Sequence, residues 1–174
     1  MGCFETRVRI AAPRPRVFDL ARSVELHLES TSKTRERAVG GVVSGLLGAG
    51  EEVTWSARHF GIRQRLTSRI TRFDPPRYFR DEMVAGAFSH FHHDHHFEAL
   101  KFGTMMRDVL DFEAPLGWLG KAVDRLVLIA YLRRFIESRG EVIRRIAESD
   151  AWQEFLPEHE GGSQKSAARI QPSS

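Results

Sequence analysis

From Phe4 to Ile10 the chain alternates, with Phe4, Thr6, Val8 and Ile10 on one side and Glu5, Arg7 and Arg9 on the other. That period of two predicts a half-buried strand. Ala11-Ala12-Pro13 stops it, and Pro13 or Pro15 suits the first turn of a helix, where no N–H is needed. Val17, Phe18, Leu20 and Ala21 give a short helical face, and Val24, Leu26 and Leu28 a second short helix or turn. Strand then follows strand over residues 35–43, 52–60, 62–73, 77–85, 88–99 and 104–112. In the second of these Val53, Trp55, Ala57 and His59 share one face; in the third Ile62, Leu66, Ser68 and Ile70 point inward. The glycine-rich stretch 45–50, Gly61, Asp74-Pro75-Pro76, Gly86-Ala87 and Lys101-Phe102 supply the turns, which predicts an antiparallel meander. Pro115 ends the run, and residues 116–146 read as one long helix. Its apolar side carries Leu119, Val123, Leu126, Leu128, Leu132, Phe135, Val142, Ile143 and Ile146, and its exposed side Arg133, Arg134, Arg144 and Arg145. Residues 1–156 are expected to form one domain, and the Gly-, Ser- and Gln-bearing stretch 157–174 a disordered tail.

This order of elements predicts an α+β fold in which a curved antiparallel sheet of about seven strands wraps around the long helix. Twisted strands in that number curl, and the concave face must be covered. A helix laid across a strongly curved sheet touches the rim better than the centre, so a cavity is expected between them. The competing expectation is a core filled solid. Trp55, His59, Leu66, Ile70, Phe79, Met83, Phe91, Met106 and Leu128 are the residues expected to meet a ligand there, together with His93, His95 and Asp108.

Composition narrows the setting. Hydrophobic residues make up 41% of the 174 and charged residues 28%, which suits a globular chain. A formal charge of +3 is too mild to point to nucleic acid. Cys3 is the only cysteine, so no intrachain disulfide can form and a reducing, cytoplasmic setting is expected. The first residues lack the basic-then-apolar order of a signal peptide, and the longest apolar stretch, residues 126–132, is too short to cross a bilayer.

The richest chemistry lies in His90-Phe91-His92-His93-Asp94-His95-His96-Phe97. If Phe91 and Phe97 face the core, His93 and His95 go inward with them, while His90, His92, Asp94 and His96 face outward. A hairpin turn at Lys101-Phe102 that pairs Ala99 with Thr104 sets His95 opposite Asp108. A turn near Gly86-Ala87 that pairs Met83 with Phe91 sets Asp81 opposite His93. Two buried acid–histidine pairs are therefore expected, Asp81 with His93 and Asp108 with His95. Three readings stay open for them: a structural clamp on strand register, a handle for the polar group of a ligand, or general acid–base catalysis by the same four residues. No metal and no other cofactor are expected. The outward histidines lie along a strand rather than converging, no helical His–Glu motif joins them, and an inward group of His93, His95 and His59 is only a geometric option.

Several short motifs resemble those of a known family. They are Ile10-Ala11-Ala12-Pro13 with Val17-Phe18, Gly45-Leu46-Leu47-Gly48 leading to Val53-Thr54-Trp55, and His59-Phe60-Gly61. Asp74-Pro75-Pro76-Arg77 with Phe79-Arg80-Asp81, Gly86-Ala87-Phe88, the spaced Phe91, His93, His95 and Phe97, Gly103-Thr104 with Asp108, and Pro115-Leu116-Gly117 complete the set. Over roughly residues 4–147 the layout resembles the helix-grip fold of START lipid-transfer domains, the major birch pollen allergen and polyketide cyclase/dehydrase proteins, the SRPBCC superfamily. The resemblance implies binding of hydrophobic ligands such as lipids, polyketides or hormones, and no shared catalytic motif. The favoured reading is a carrier, sensor or transport module for a small hydrophobic or amphipathic molecule. The alternatives are a cyclase or dehydratase using the same pocket, and a protein-interaction module. The outward arginines Arg58, Arg63, Arg65, Arg69 and Arg72 suggest transient contact with an anionic membrane surface, and the absence of interleaved aromatics argues against nucleic acid. The broad apolar girth of residues 116–131 leaves a face that a second copy of the chain could cover.

Overall fold

The computed structural model describes residues 2–59, 61–113 and 125–156, leaving aside the side chains of Lys33, His59 and Arg125. The strand β1 (Gly2–Ile10) leads into α1 (Arg14–Ala21), which has Pro13 at its cap and a proline in its first turn. Ser23 caps α2 (Val24–Ser30), its hydroxyl accepting the Leu26 N–H at 3.3 Å. A 3-10 turn, Ser32–Thr34, precedes β2 (Arg37–Gly41). Then come β3 (Glu52–His59), β4 (Ile62–Asp74), β5 (Tyr78–Ala85), β6 (His90–Leu100) and β7 (Gly103–Glu113), and finally α3 (Arg125–Ala147). Phe60, the first part of the expected long helix with Trp118, Leu119 and Val123, and the expected tail 157–174 lie outside the described residues.

The strands form one seven-stranded sheet in the order β1-β7-β6-β5-β4-β3-β2, antiparallel throughout, so the first strand pairs with the last. It is the expected α+β architecture, a curved sheet gripped around a long helix. The β2 strand is shorter than its pattern suggests. Its register shifts between Ala38 and Gly40, and Gly41 sits at φ 70°, where a Cβ would come 2.2 Å from the Glu52 carbonyl oxygen.

Alternation explains which faces are buried. Val53, Trp55 and Ala57 of β3, Ser68 and Ile70 of β4, Phe79 of β5, His93, His95 and Phe97 of β6, and Met106, Asp108, Leu110 and Phe112 of β7 all face the core. Ile62 breaks the expectation for its strand and is 40% exposed. It opens β4 beside the Gly61 turn, at the hairpin end, where only His59 lies opposite it across the ladder.

The apolar core is split. One cluster joins Phe18, Leu20, Val24, Leu26, Trp55, Ile70, Phe79, Phe97 and Ile143 under α1 and α2. The other joins Phe4, Leu110, Phe112, Leu132 and Ile136, with Phe88, Phe91, Leu128 and Phe135 packed against it. Fully buried side chains of this kind contribute about 1.5–3 kcal/mol each, so both clusters anchor α3 to the sheet. Between them the packing leaves space.

Candidate functional site

The space is a cavity of about 180 Å³ whose wall draws on both clusters: Trp55, Leu66, Ile70 and Phe79 from one, Phe91, Leu110, Leu132 and Ile136 from the other. Asp81, His93 and Arg139 are its polar members on the β5–β6 and α3 side. An apolar cavity of about 150 Å³ holds a benzene ring, so this one encloses a molecule, or a part of one, about the size of a single ring.

Behind the wall lies a buried cluster of acids and imidazoles. The ladder has the expected register, with Asp81 opposite His93 and His95 opposite Asp108. The side chains do not, however, form two separate pairs. The hydrogen bonds run diagonally, His93 Nε2 to Asp108 Oδ1 at 3.0 Å and His95 Nε2 to Asp81 Oδ2 at 3.1 Å. The directly opposed contacts are His95 Nδ1 to Asp108 Oδ1, 2.7 Å but away from a hydrogen-bonding direction, and His93 Nδ1 to Asp81 Oδ2 at 3.9 Å. Sheet twist brings diagonal neighbours within reach of a ring as long as imidazole. The result is one four-membered network. His95 is fully buried, stacked on Phe79 at 4.1 Å and tilted against His93 at 3.8 Å.

Charge is distributed unequally over this network. Burial opposes ionisation of Asp108, yet the hydrogen bond of His93 and the charges of both imidazoles close against it hold its carboxyl far below the ordinary range. Asp81 follows the same logic, with burial outweighed by the His95 hydrogen bond and by the charges of His93, His95 and Arg139. Burial pushes His93 down, and the neighbouring His95 adds to the effect. Burial also works against charge on His95, but two carboxylates overcome it and raise its pKa. The network therefore favours charge on its two carboxylates and on His95, and disfavours it on His93. The guanidinium of Arg139, 7% exposed and donating from Nη2 to the Ala21 carbonyl at 2.6 Å, adds a further positive charge beside Asp81.

Arg139 is not among the residues expected at the site, although its spacing along the chain is visible. It falls three and seven residues after Ile136 and Leu132 and four before Ile143, on the buried stripe of α3. A second polar group on the wall was also missed. His27 stacks on Trp55 at 4.0 Å with its Nε2 3.4 Å from Glu36 Oε2, and Tyr131 lines the same cavity. Burial, and then the charge of Glu36, raises the Tyr131 phenol. His27 lies three residues after Val24 on α2, a helical spacing that points it inward.

Of the residues expected to meet a ligand, Trp55, Leu66, Ile70, Phe79, Phe91, His93 and Leu128 line the cavity, as does Asp81. His95, Asp108 and Met106 are packed behind it, Met106 next to the point where Gly140 of α3 closes on the sheet. Met83 folds back over the turn, close to Gly86 and Leu66. The His59 side chain lies outside the described residues.

Comparison with known proteins agrees with this architecture. A family model described as polyketide cyclase / dehydrase and lipid transport matches residues 1–148. Among solved structures, the Zhui aromatase/cyclase from Streptomyces sp. R1128 superposes with a TM-score of 0.69 at 17% identity, covering 90% of this chain and 99% of that one. A START superfamily protein from Mycobacterium smegmatis gives 0.65 at 11% identity, covering 84% and 97%. Major latex-like protein 151 from Panax ginseng gives 0.62 at 16% identity, covering 85% and 98%. No curated protein matches the chain in sequence.

Proposed function

The chain belongs to the polyketide cyclase / dehydrase and lipid transport family, and from that premise we propose that it is a binding module for a small hydrophobic or amphipathic molecule held between sheet and α3. The observation that carries this reading is the division of the core. Two clusters stop short of one another, and the gap keeps a mainly apolar wall interrupted by polar groups at fixed places. Such a wall recognises a ring-sized apolar body, and Asp81, His93 and Arg139 recognise a polar substituent on it. Among the described residues no helix is long and apolar enough to cross a membrane.

Native mass spectrometry of the chain purified from its own host tests this. A bound organic molecule is expected in the wild type and not in Ala57→Phe, which fills the cavity from β3. A chain that is empty in both forms, and stays empty when offered host lipid extract, would sink the proposal.

One observation favours a second reading, an enzyme of the cyclase or dehydratase class. Neutral His93 stands on the cavity wall with Asp108 behind it, as an orienting carboxylate stands behind a general base. Loss of turnover of a polyketide-like substrate in His93→Gln, beyond what any weaker ligand retention accounts for, would support the enzyme. No turnover in the wild type would leave the carrier.

A further inference from the structure

We propose that Asp81, His93 and His95 form a binding site for one divalent transition-metal ion, opening into the cavity. The ligand atoms Asp81 Oδ2, His93 Nδ1 and His95 Nε2 all lie within 4.8 Å of one another. Asp81 Oδ2 is 3.1 Å from His95 Nε2 and 3.9 Å from His93 Nδ1. Metal–ligand bonds of about 2.0–2.1 Å in a tetrahedral site separate ligand atoms by about 3.3 Å. Two edges of the triangle are already within about 0.6 Å of that spacing.

The second observation is the position of Asp108. Its Oδ1 lies 3.0 Å from His93 Nε2 and 2.7 Å from His95 Nδ1, so one buried carboxylate stands behind both rings. A metal-bound imidazole gives its other N–H to such a carboxylate, which fixes the ring and its tautomer. Here His93 has that hydrogen bond, the His95 Nδ1 lies against the same oxygen outside a hydrogen-bonding direction, and both rings turn the remaining nitrogen toward Asp81. In the metal-free network His95 Nε2 and Asp81 Oδ2 share a hydrogen bond at 3.1 Å; a metal ion takes the place of the proton between them, which leaves for solvent.

Two nitrogens and one carboxylate oxygen suit zinc, cobalt or ferrous iron better than magnesium or calcium, which prefer oxygen. Asp81 and His93 line the cavity, so the open coordination position faces it. Arg139 acts on Asp81 from the same wall and opposes a further cation. With a divalent ion in place, two carboxylates and one guanidinium leave an excess positive charge. The ligand class that restores neutrality is an anionic oxygen donor, such as a carboxylate or a phenolate. The strand pattern hid this site because two ligands sit two apart on β6 and the third comes across from β5.

Metal binding here does not depend on the organic ligand, so metal ions alone serve as the probe. The full chain, stripped with chelator, is titrated with Co²⁺ and with Zn²⁺. One ion per chain is expected, with the visible absorption of low-coordinate Co²⁺ and micromolar or tighter affinity. Asp81→Asn and His93→Gln should each abolish it, and Asp108→Asn should weaken it by about 10–100-fold. The outward double variant His90→Gln/His92→Gln should bind as the wild type does. Proton NMR of the wild type with Co²⁺ keeps the test decisive where a variant fails to fold: shifted imidazole resonances from His93 and His95 support the site. No retained ion, retention unaffected by Asp81→Asn and His93→Gln, or loss in the His90/His92 variant alone would overturn the proposal.

Discussion

The strand β6 carries histidines on both faces, and the two faces behave as different materials. Inward, His93 and His95 are 5% and 0% exposed and share two carboxylates within one network. Outward, His90 lies 3.4 Å from Asp111 and His92 3.9 Å from Glu82, all four side chains about a third exposed. Residue type, strand and acid partner are alike; the difference is water. An exposed ion pair contributes about 0–1 kcal/mol, whereas removing one member of a buried set leaves charge with nothing to answer it. The contrast shows that acid–histidine proximity alone says little, and that the side of the sheet decides whether it shapes chemistry.

The sharpest way to break the comparison is to make the same change on each face. Asp108→Asn keeps shape and removes the carboxylate that both inward rings use. About 3 kcal/mol of stability should be lost. Asp111→Asn, beside His90, should cost under about 1 kcal/mol. Urea unfolding followed by circular dichroism measures both, and equal losses would mean that the inner network is as well solvated as the outer face. Next in size is Arg139→Met, which keeps an apolar stem but removes the donor to the Ala21 carbonyl and the cation that acts on Asp81. The expected loss is about 2 kcal/mol, read in the same way.

How much of this was legible in the chain depends on the kind of contact. The alternation around Phe91 and Phe97, with the turn at Lys101-Phe102, fixed which histidines go inward and which residues stand opposite them, because strand period and hairpin length leave one register. The diagonal linkage depends on twist, which no one-dimensional pattern carries. Arg139 and His27 reach the cavity through helix–sheet packing, where an arginine or histidine on an apolar stripe is easily passed over as a surface residue. The burial of Met106 behind the wall follows from how closely α3 approaches the sheet at Gly140, and spacing along the chain does not encode that distance.

Acidity sharpens the comparison further, because the two inward rings should respond to pH with opposite sign in the metal-free chain. His95 has its pKa raised in the folded state. Its contribution is complete below the unfolded value of about 6.5 and is lost as pH rises through the folded one. His93 has its pKa lowered, so below about 6.5 the unfolded chain takes up that proton first and stability falls as pH drops. The carboxylates of Asp81 and Asp108 add stability above about 3.9 that disappears as pH falls through their depressed values. A tenfold difference in proton affinity between folded and unfolded chain is worth about 1.4 kcal/mol. Unfolding midpoints measured from pH 5 to 9 should therefore lose their alkaline decline in His95→Gln and soften their acidic decline in His93→Gln. The same slope in both variants would contradict the division of charge between the rings.

The smallest effect is expected from His90→Gln/His92→Gln. These rings meet at 3.9 Å between centroids, an edge-on contact on the outward face, and each has one acidic neighbour beyond ordinary hydrogen-bond length or near its limit. Glutamine keeps a polar, strand-compatible side chain at both places, and water replaces what the imidazoles gave up. The double variant should stay within about 0.5 kcal/mol of the wild type in urea. A larger loss would mean that the outer histidines hold the sheet together in the way the inner ones do. The contrast between faces would then be one of degree, set by how far water reaches into the sheet rather than by which side of it a ring occupies.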